Sequence, residues 1–390
     1  MLKTLITTVA VALGLLASNG AIAQAPAVQS VNIADVKPDG NSSGNAKADA
    51  SADANYLKQS NGERAQVQPG NNAPLWRQVG QGVAGYSSLP VTQAPEAGVL
   101  IQPTVQYPGS RVTNAGEAWR QVRNQWLIPY GMAFICIALL ACAILYFGVG
   151  KLGKVHPETG LMIERFTPVE RAAHWANAGA FVLLALSGMT MAFGKTLLLP
   201  LMGTTLFGWL AYALKNLHNF VGPLFAVSLA VIIVIFVKDN IANAADFFWL
   251  KKLGGLLSDK QIPSHRFNAG EKGIFWWAVT IPGIVVVGSG LILDKLVPGL
   301  GDMRGEMQIT HMIHLACALW MIALICGHIY MGTLGVPGAY EGMKTGYVPE
   351  GWAQEHHELW LDDVKAGKIP AQRSATPSSA SNTEVPAASA

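Results

Sequence analysis

After residue 125 the chain is a succession of apolar runs separated by short polar segments. The runs are Trp126–Val149, about Trp175–Phe193, about Phe220–Val237, about Ile274–Leu293 and Gln308–Gly332. Each approaches the ~20 residues that a helix needs to cross a bilayer core. The pattern therefore predicts five membrane-spanning helices. Pro282 falls inside the fourth, where a kink is tolerated. The fifth has no acidic or basic residue apart from histidine. Its His314 and His328 are roughly 21 Å apart along a helix axis at ~1.5 Å per residue, and within about 40° of each other at ~100° per residue. One face of one span thus offers an imidazole near each end.

The segments before the first span read differently. Met1–Ala23 has a positive start at Lys3, an apolar stretch from Leu5 to Leu16 and a small-x-small site at Ala21–Ala23. That is a secretory signal pattern, and it places residues 24 onward outside the cytoplasm. Residues 24–73 are rich in Ala, Asn, Asp, Ser and Gly, which predicts a disordered periplasmic linker. Residues 74–124 regain Trp76, Tyr86, Tyr107 and Trp119 among Gly and Pro. Their irregular spacing predicts an extended periplasmic extension that orders only against a partner, or a plain tether. Residues 361–390 form a cytoplasmic tail that turns Ala/Ser/Pro-rich after Pro370 and is expected to be disordered.

Charge fixes the expected orientation. Lys151, Lys154, Arg165 and Arg171 follow the first span, and Lys238, Lys251, Lys252, Lys260, Arg266 and Lys272 follow the third. The two alternate connections hold only Lys195 and Lys215, and Lys295 and Arg304. The positive-inside rule agrees with the signal segment: the first span ends inside and the C-terminus is cytoplasmic. This reads as a multi-pass protein of a bacterial inner membrane, in contact with lipid. The hydrophobic content is 51%, only 13% of residues are charged, and the net charge is +3. That balance gives no basis for a nucleic-acid partner. Cys136, Cys142, Cys317 and Cys326 all fall in spans and form no Cys-x-x-Cys pair, so iron–sulfur ligation and covalent haem attachment are not expected. They read as small buried hydrophobes.

The topology gives each histidine a depth. His174 begins the second span on the inside and His328 ends the fifth there. His218 begins the third on the outside, near His311 and His314. The helical angle favours His314 over His311 as the partner of His218, since His314 shares the face of His328. Two imidazoles at one depth on neighbouring helices suit a six-coordinate b-type haem, and this occurs twice. Low-spin bis-histidine iron suits electron transfer. The bland alternative for a lone histidine is an interfacial polar residue. The competing class is a non-redox anchor or a histidine-relay transporter; the transporter should carry Asp or Glu within the spans, and there are none. Gly188, Gly222, Gly288 and Gly290 are candidates for close porphyrin approach or for plain helix packing. Arg171 and Lys215 each precede a candidate ligand by three residues, as propionate partners or interfacial anchors. Trp175, Trp276, Trp277 and Trp320 read as interface belt or haem-edge packing.

Several stretches carry a family resemblance. They are Pro168–Trp175, Leu217–His218, Phe267–Lys272 with Phe275–Trp276, and Ile313–His314 through Gly327–Met331. Together they resemble the membrane cytochrome b (gamma) subunit of respiratory formate dehydrogenase, over about residues 163–360. The wider superfamily includes the cytochrome b subunits of nickel–iron hydrogenase and of thiosulfate reductase, so a hydrogenase or another periplasmic oxidoreductase is the alternative partner. The resemblance implies an all-α membrane protein: a four-helix transmembrane dihaem cytochrome b bundle at 163–360, plus one extra N-terminal transmembrane helix at 126–149. It implies that His218 and His314 hold a periplasmic haem b, and His174 and His328 a cytoplasmic one. It implies a quinone site at Asn268, Gly270 and His328, with Glu271 nearby where the family carries Gln. The implied partners are an iron–sulfur (beta) subunit and a molybdenum- or tungsten-pterin catalytic (alpha) subunit. Formate oxidation would belong to that partner, leaving this chain to transfer electrons and reduce quinone, with no residue of its own for formate chemistry.

Overall fold

A computed structural model describes residues 83–85, 98–157, 161–255, 262–300 and 304–374. All of them fall in one compact unit. The expected signal segment 1–23, the linker 24–73 and the tail beyond residue 374 lie outside the described residues.

Three small antiparallel pairs border the helices. β1 (Val83–Gly85) pairs with β2 (Gly98–Ile101), β3 (Thr104–Val105) with β4 (Thr113–Asn114), and β5 (Met162–Glu164) with β6 (Tyr347–Pro349). Among the described residues, five helices are long and apolar enough to cross a membrane: α1 (Ala115–Val149), α2 (Pro168–Leu197), α3 (Leu199–Phe236), α5 (Ala269–Leu293) and α6 (Arg304–Gly335). Shorter helices complete the chain: α4 (Ala244–Lys251) between α3 and α5, then α7 (Ala339–Thr345), α8 (Glu350–His356) and α9 (Glu358–Lys365).

Local chemistry explains where the helices start. Thr167 caps α2 by accepting from the Glu170 N–H, and Glu170 accepts in return from the Thr167 N–H. Asn243 with Asp246 and Asn268 with Glu271 do the same for α4 and α5. These reciprocal boxes satisfy donors that a helix start leaves free. Gly203, at φ 73°, breaks the helical path early in α3, a conformation that suits glycine.

The expected extended segment is corrected at its end. Residues 115–124 are helical, and α1 begins at Ala115 rather than at Trp126. Asn114 accepts from the Glu117 N–H at 2.9 Å and starts the helix, while Ala115 and Ala118 are buried. The segment orders against α6 of its own chain: Gln308 Nε2 donates to Gln102 Oε1 at 3.3 Å, and Trp119 meets His311 edge-on at 5.5 Å. An alanine-based buried stripe with one capping asparagine is short, and the scattered aromatics around it masked its period.

The tail is corrected too. Trp360, Leu361 and Val364 of α9 enter a core with Ile163, Val348, Trp352 and Ala353. Arg373 reaches both carboxylate oxygens of Glu170, at 2.9 and 3.0 Å. Chain after residue 360 is thus part of the fold at least to Ser374, whose hydroxyl donates to Glu164 at 2.6 Å.

In the bundle, α2 packs along α3 and α5 along α6, with α1 packed against α6. Gly131 permits that last contact, since a Cβ there would stand 2.2 Å from Leu319 Cδ1. Cys136 is exposed, and Cys142, Cys317 and Cys326 are half-buried thiols, so the buried-hydrophobe reading of them does not hold for Cys136.

Candidate metal centres

The four bundle helices bring the candidate histidines together in two pairs. The rings of His174 (α2) and His328 (α6) have centres 6.3 Å apart with planes at 60°. Those of His218 (α3) and His314 (α6) are 6.2 Å apart at 69°. An imidazole nitrogen binds a metal at about 2 Å, and the ring centre lies about 1 Å further back, so one iron between two facing rings requires centres about 6 Å apart. Both pairs meet this. Among the described residues no group of three or more His, Cys, Asp or Glu could hold a bare ion. Two imidazoles alone are an incomplete donor set for a lone metal and a complete axial set for haem, whose porphyrin supplies the other four nitrogens.

The helix rise separates the pairs. His314 and His328 are fourteen residues apart on α6. On α2, Gly188 lies beside the His218 ring and is again fourteen residues beyond His174. Both intervals correspond to about 21 Å. Halfway between, seven residues beyond His174, His218 and His314, stand Phe181, Phe225 and Met321. Phe225 and Met321 pack in one cluster with Leu229 and are 3% exposed; Phe181 and Phe225 have ring centres 6.3 Å apart. An apolar layer of packed side chains therefore separates the two pairs.

The Nδ1 atoms are treated differently in the two pairs. His218 Nδ1 lies 2.8 Å from Ser187 Oγ. His314 Nδ1 lies 3.0 Å from Ser289 Oγ and donates to the Val286 carbonyl at 3.1 Å. His174 Nδ1 is buried without a partner. The sequence reading missed both serines; the signal was a Ser-Gly dipeptide repeated on α2 and α5. Gly188 and Gly290 admit the imidazoles themselves, since a Cβ would stand 3.4 Å from His218 Cε1 and 3.2 Å from His314 Cε1. Gly222 and Gly288 have no neighbour within 4 Å of a Cβ position.

Other candidates fall elsewhere. His311 is outside both pairs and packs on Trp119. Arg171 donates its guanidinium to the backbone carbonyls of Met343 and Lys344, which corrects its reading as a propionate partner. Lys215 is exposed. Asn268 Oδ1 accepts from the Glu271 N–H at 3.0 Å, so half of its amide is committed to the α5 cap. Trp249 lies over Gly270, with Cη2 3.0 Å from a Cβ position; that indole was also missed. Glu271 is paired with Arg165 at 2.7 Å and lies 3.8 Å from His357 Nε2. Burial first, then the Arg165 charge, push His357 down to about 3. Nearby, burial pushes the Glu355 carboxyl up, but His156 at 2.6 Å and the Lys154 N–H hold it below its usual value.

Comparison with known proteins now decides the family. Residues 165–346 match the prokaryotic cytochrome b561 family, the stretch that holds all four paired histidines. The formate dehydrogenase cytochrome b556(fdo) subunit of Escherichia coli K12 is 30% identical over 205 residues, 52% of this chain and 93% of its own length. The nitrate-inducible cytochrome b556(Fdn) subunit of the same organism is 31% identical over 209 residues, 52% and 92% of the two chains. The chain belongs to this family of formate dehydrogenase cytochrome b subunits. A further relative in Haemophilus influenzae, a formate dehydrogenase cytochrome b556 subunit, is 22% identical over 227 residues, covering 56% of this chain and 90% of its own. This cytochrome b subunit is a multi-pass membrane protein with a four-helix bundle of α2, α3, α5 and α6. Helix α1 is additional and precedes the matched residues.

Proposed function

We propose that this chain is the electron-carrying and quinone-reducing subunit of a respiratory formate dehydrogenase in the bacterial inner membrane. The observation that carries the reading is the spacing of the two histidine pairs, 6.3 and 6.2 Å between ring centres, in a family whose members are named cytochrome b556. His218 and His314 hold a haem b toward the periplasm, and His174 and His328 hold one toward the cytoplasm. When bound, these two haems supply one-electron centres at two depths, so that electrons from a periplasmic iron–sulfur subunit, fed by a molybdenum- or tungsten-pterin formate-oxidising subunit, reach quinone on the inner side.

The protein's own residues serve that task in distinct ways. Phe181, Phe225 and Met321 keep water out of the space between the pairs. Asn268 anchors the start of α5 and keeps its amide Nδ2 free to donate to a quinone carbonyl. Gly270 keeps the backbone open beside it, with the Trp249 indole as a wall. Glu271, next to His357 and Arg165, lies where protons from the cytoplasm would be taken up. The side carrying Lys238, Lys251 and Lys252 is the cytoplasmic one by the positive-inside rule. Charge moving inward across the bilayer is worth about 2.3 kcal/mol per charge per 100 mV. The dihaem domain extends from residue 163 past residue 360 to Ser374.

The test is a reduced-minus-oxidised spectrum with a haem count on the purified chain. Two haem b per chain are expected. His174→Ala should remove one signal and stop quinol formation, and His218→Ala should remove the other and block electron entry from formate. One haem or none in the unmutated protein rejects the reading. Co-purification with hydrogenase instead of formate dehydrogenase subunits would reject the partner assignment alone.

A further inference from the structure

We propose that Ser187–Gly188 on α2 and Ser289–Gly290 on α5 are matched positioning devices that orient the two outer imidazoles and lower the potential of the outer haem below that of the inner one. This rests on the dihaem reading above. The two devices have the same construction. Each serine hydroxyl donates to the carbonyl four residues back, Ser187 to Leu183 at 2.7 Å and Ser289 to Val285 at 2.6 Å. With its hydrogen so used, each oxygen can only accept. The group facing it is a histidine Nδ1, at 2.8 Å for His218 and 3.0 Å for His314. Each imidazole is thereby held as the tautomer with hydrogen on Nδ1 and a free lone pair on Nε2, the form that ligates iron through Nε2; for His314 the Val286 carbonyl at 3.1 Å shares that hydrogen with Ser289. The following glycine removes the side chain that would crowd Cε1, at 3.4 and 3.2 Å.

The chemical consequence follows from the acceptor. An Nδ1–H that donates to oxygen sends electron density to the ligating nitrogen, and such a second partner tunes the metal. A more basic axial nitrogen favours ferric over ferrous iron. Both outer ligands receive this treatment. On the inner side His174 Nδ1 is buried and has no acceptor, so at most one of the two inner ligands can receive it. The outer haem is therefore the better electron donor of the two, and the hydrogen-bond pattern of the helices biases flow from the periplasmic to the cytoplasmic side.

A serine in a transmembrane helix commonly bonds back to its own helix. That local role would persist without histidine and would not alter a haem potential. The experiment therefore compares redox titrations of the full chain, purified with its haems, for the unmutated protein, the Ser187→Ala/Ser289→Ala double variant and the Ser187→Thr/Ser289→Thr double variant. His218→Ala identifies which titration step belongs to the outer haem. The expected result is two haems in every serine variant, with the outer midpoint shifted upward in the alanine variant, restored toward the starting value by threonine, and with the inner midpoint unmoved. If the double alanine variant does not assemble, either single alanine variant should show the same shift at reduced size. An outer midpoint that stays put in the alanine variants, or an inner one that moves as far, overturns the proposal while leaving two haems intact. Fewer than two haems in the unmutated chain overturns the dihaem reading instead.

Discussion

The indole of Trp320 donates its Nε1–H to the backbone carbonyl of Trp277 at 2.8 Å. The reason lies in the geometry of α5. Phe275–Thr280 is a π-helical turn in which the Ile281 N–H bonds to the Trp276 carbonyl, five residues back. The next donor in that register is Pro282, which has no N–H. The Trp277 carbonyl is left without a helical partner, and α6 supplies one. Trp320 also stacks on Phe134 of α1, with ring centres 5.4 Å apart. One side chain thus ties together α5 at its π-helical turn, the histidine-bearing helix and the additional N-terminal helix. It is a structural tie, which replaces its reading as interface belt or haem edge.

Trp320→Phe keeps the aromatic stack and removes the donor. Thermal unfolding in detergent should show a loss of about 1 kcal/mol, the usual cost of one such bond, with the haem spectrum unchanged. An unaltered midpoint temperature would show that the carbonyl finds another partner.

Arg165 is nearly buried, donates to Glu271 at 2.7 Å and to the Arg266 carbonyl at 3.1 Å, and lies 4.9 Å from the ring centres of Phe166 and Trp352. Arg165→Met should preserve much of the packing and leave Glu271 without its countercharge. Glu271 is 36% exposed, so solvent relieves part of the penalty and about 1–3 kcal/mol is expected rather than the full cost of a broken buried pair. Arg165→Lys should rescue only partly, because one ammonium cannot reproduce both bonds and the flat ring contacts. Equal stability of all three proteins in chemical unfolding would count against this pairing.

His357 sets an acid limit on the fold in the core formed by the segments after α6. It is 1% exposed, its Nδ1 donates to the His265 carbonyl at 2.8 Å, and its folded value is about 3 against an ordinary 6.5. Below 6.5 the unfolded chain takes up a proton that the folded chain refuses. Its contribution is therefore fully present above about pH 6.5 and declines as pH falls toward 3. His356 is shifted in the same direction, chiefly by burial, so replacing one residue should flatten the curve and not level it. Stability of His357→Gln measured between pH 6.5 and 4.5 should fall less steeply than that of the unmutated protein; parallel curves would refute this role.

Asn268 offers a clean test of the proposed quinone site because its capping oxygen and its amide donor separate chemically. Aspartate caps a helix as well as asparagine does, so Asn268→Asp should retain α5, both haem signals and thermal stability. It loses the amide donor and adds a negative charge. Affinity for a quinone-site inhibitor should drop at least tenfold. Unchanged inhibition with intact haems would place the quinone elsewhere.

The sequence by itself determined the number and order of the spans, because an unbroken apolar run of bilayer length has few alternatives to a helix. It also determined which histidines share a depth, because helical rise and alternating topology are one-dimensional quantities. His174 with His328 needed no more than that, and choosing His314 over His311 for His218 needed the helical angle as well. Tertiary structure alone decided what surrounds them. The Ser187 and Ser289 hydroxyls reach Nδ1 across neighbouring helices, 31 and 25 residues away in the chain, and a serine on an apolar helix carries no mark of which helix it will face. The same holds for Trp249 over Gly270, for Arg171 turned toward the Met343 and Lys344 carbonyls, and for the Arg373–Glu170 bond that draws the tail into the fold. Such contacts depend on the rotation of one helix about its axis relative to the next, and that angle is set by packing between side chains, as where Gly131 receives Leu319.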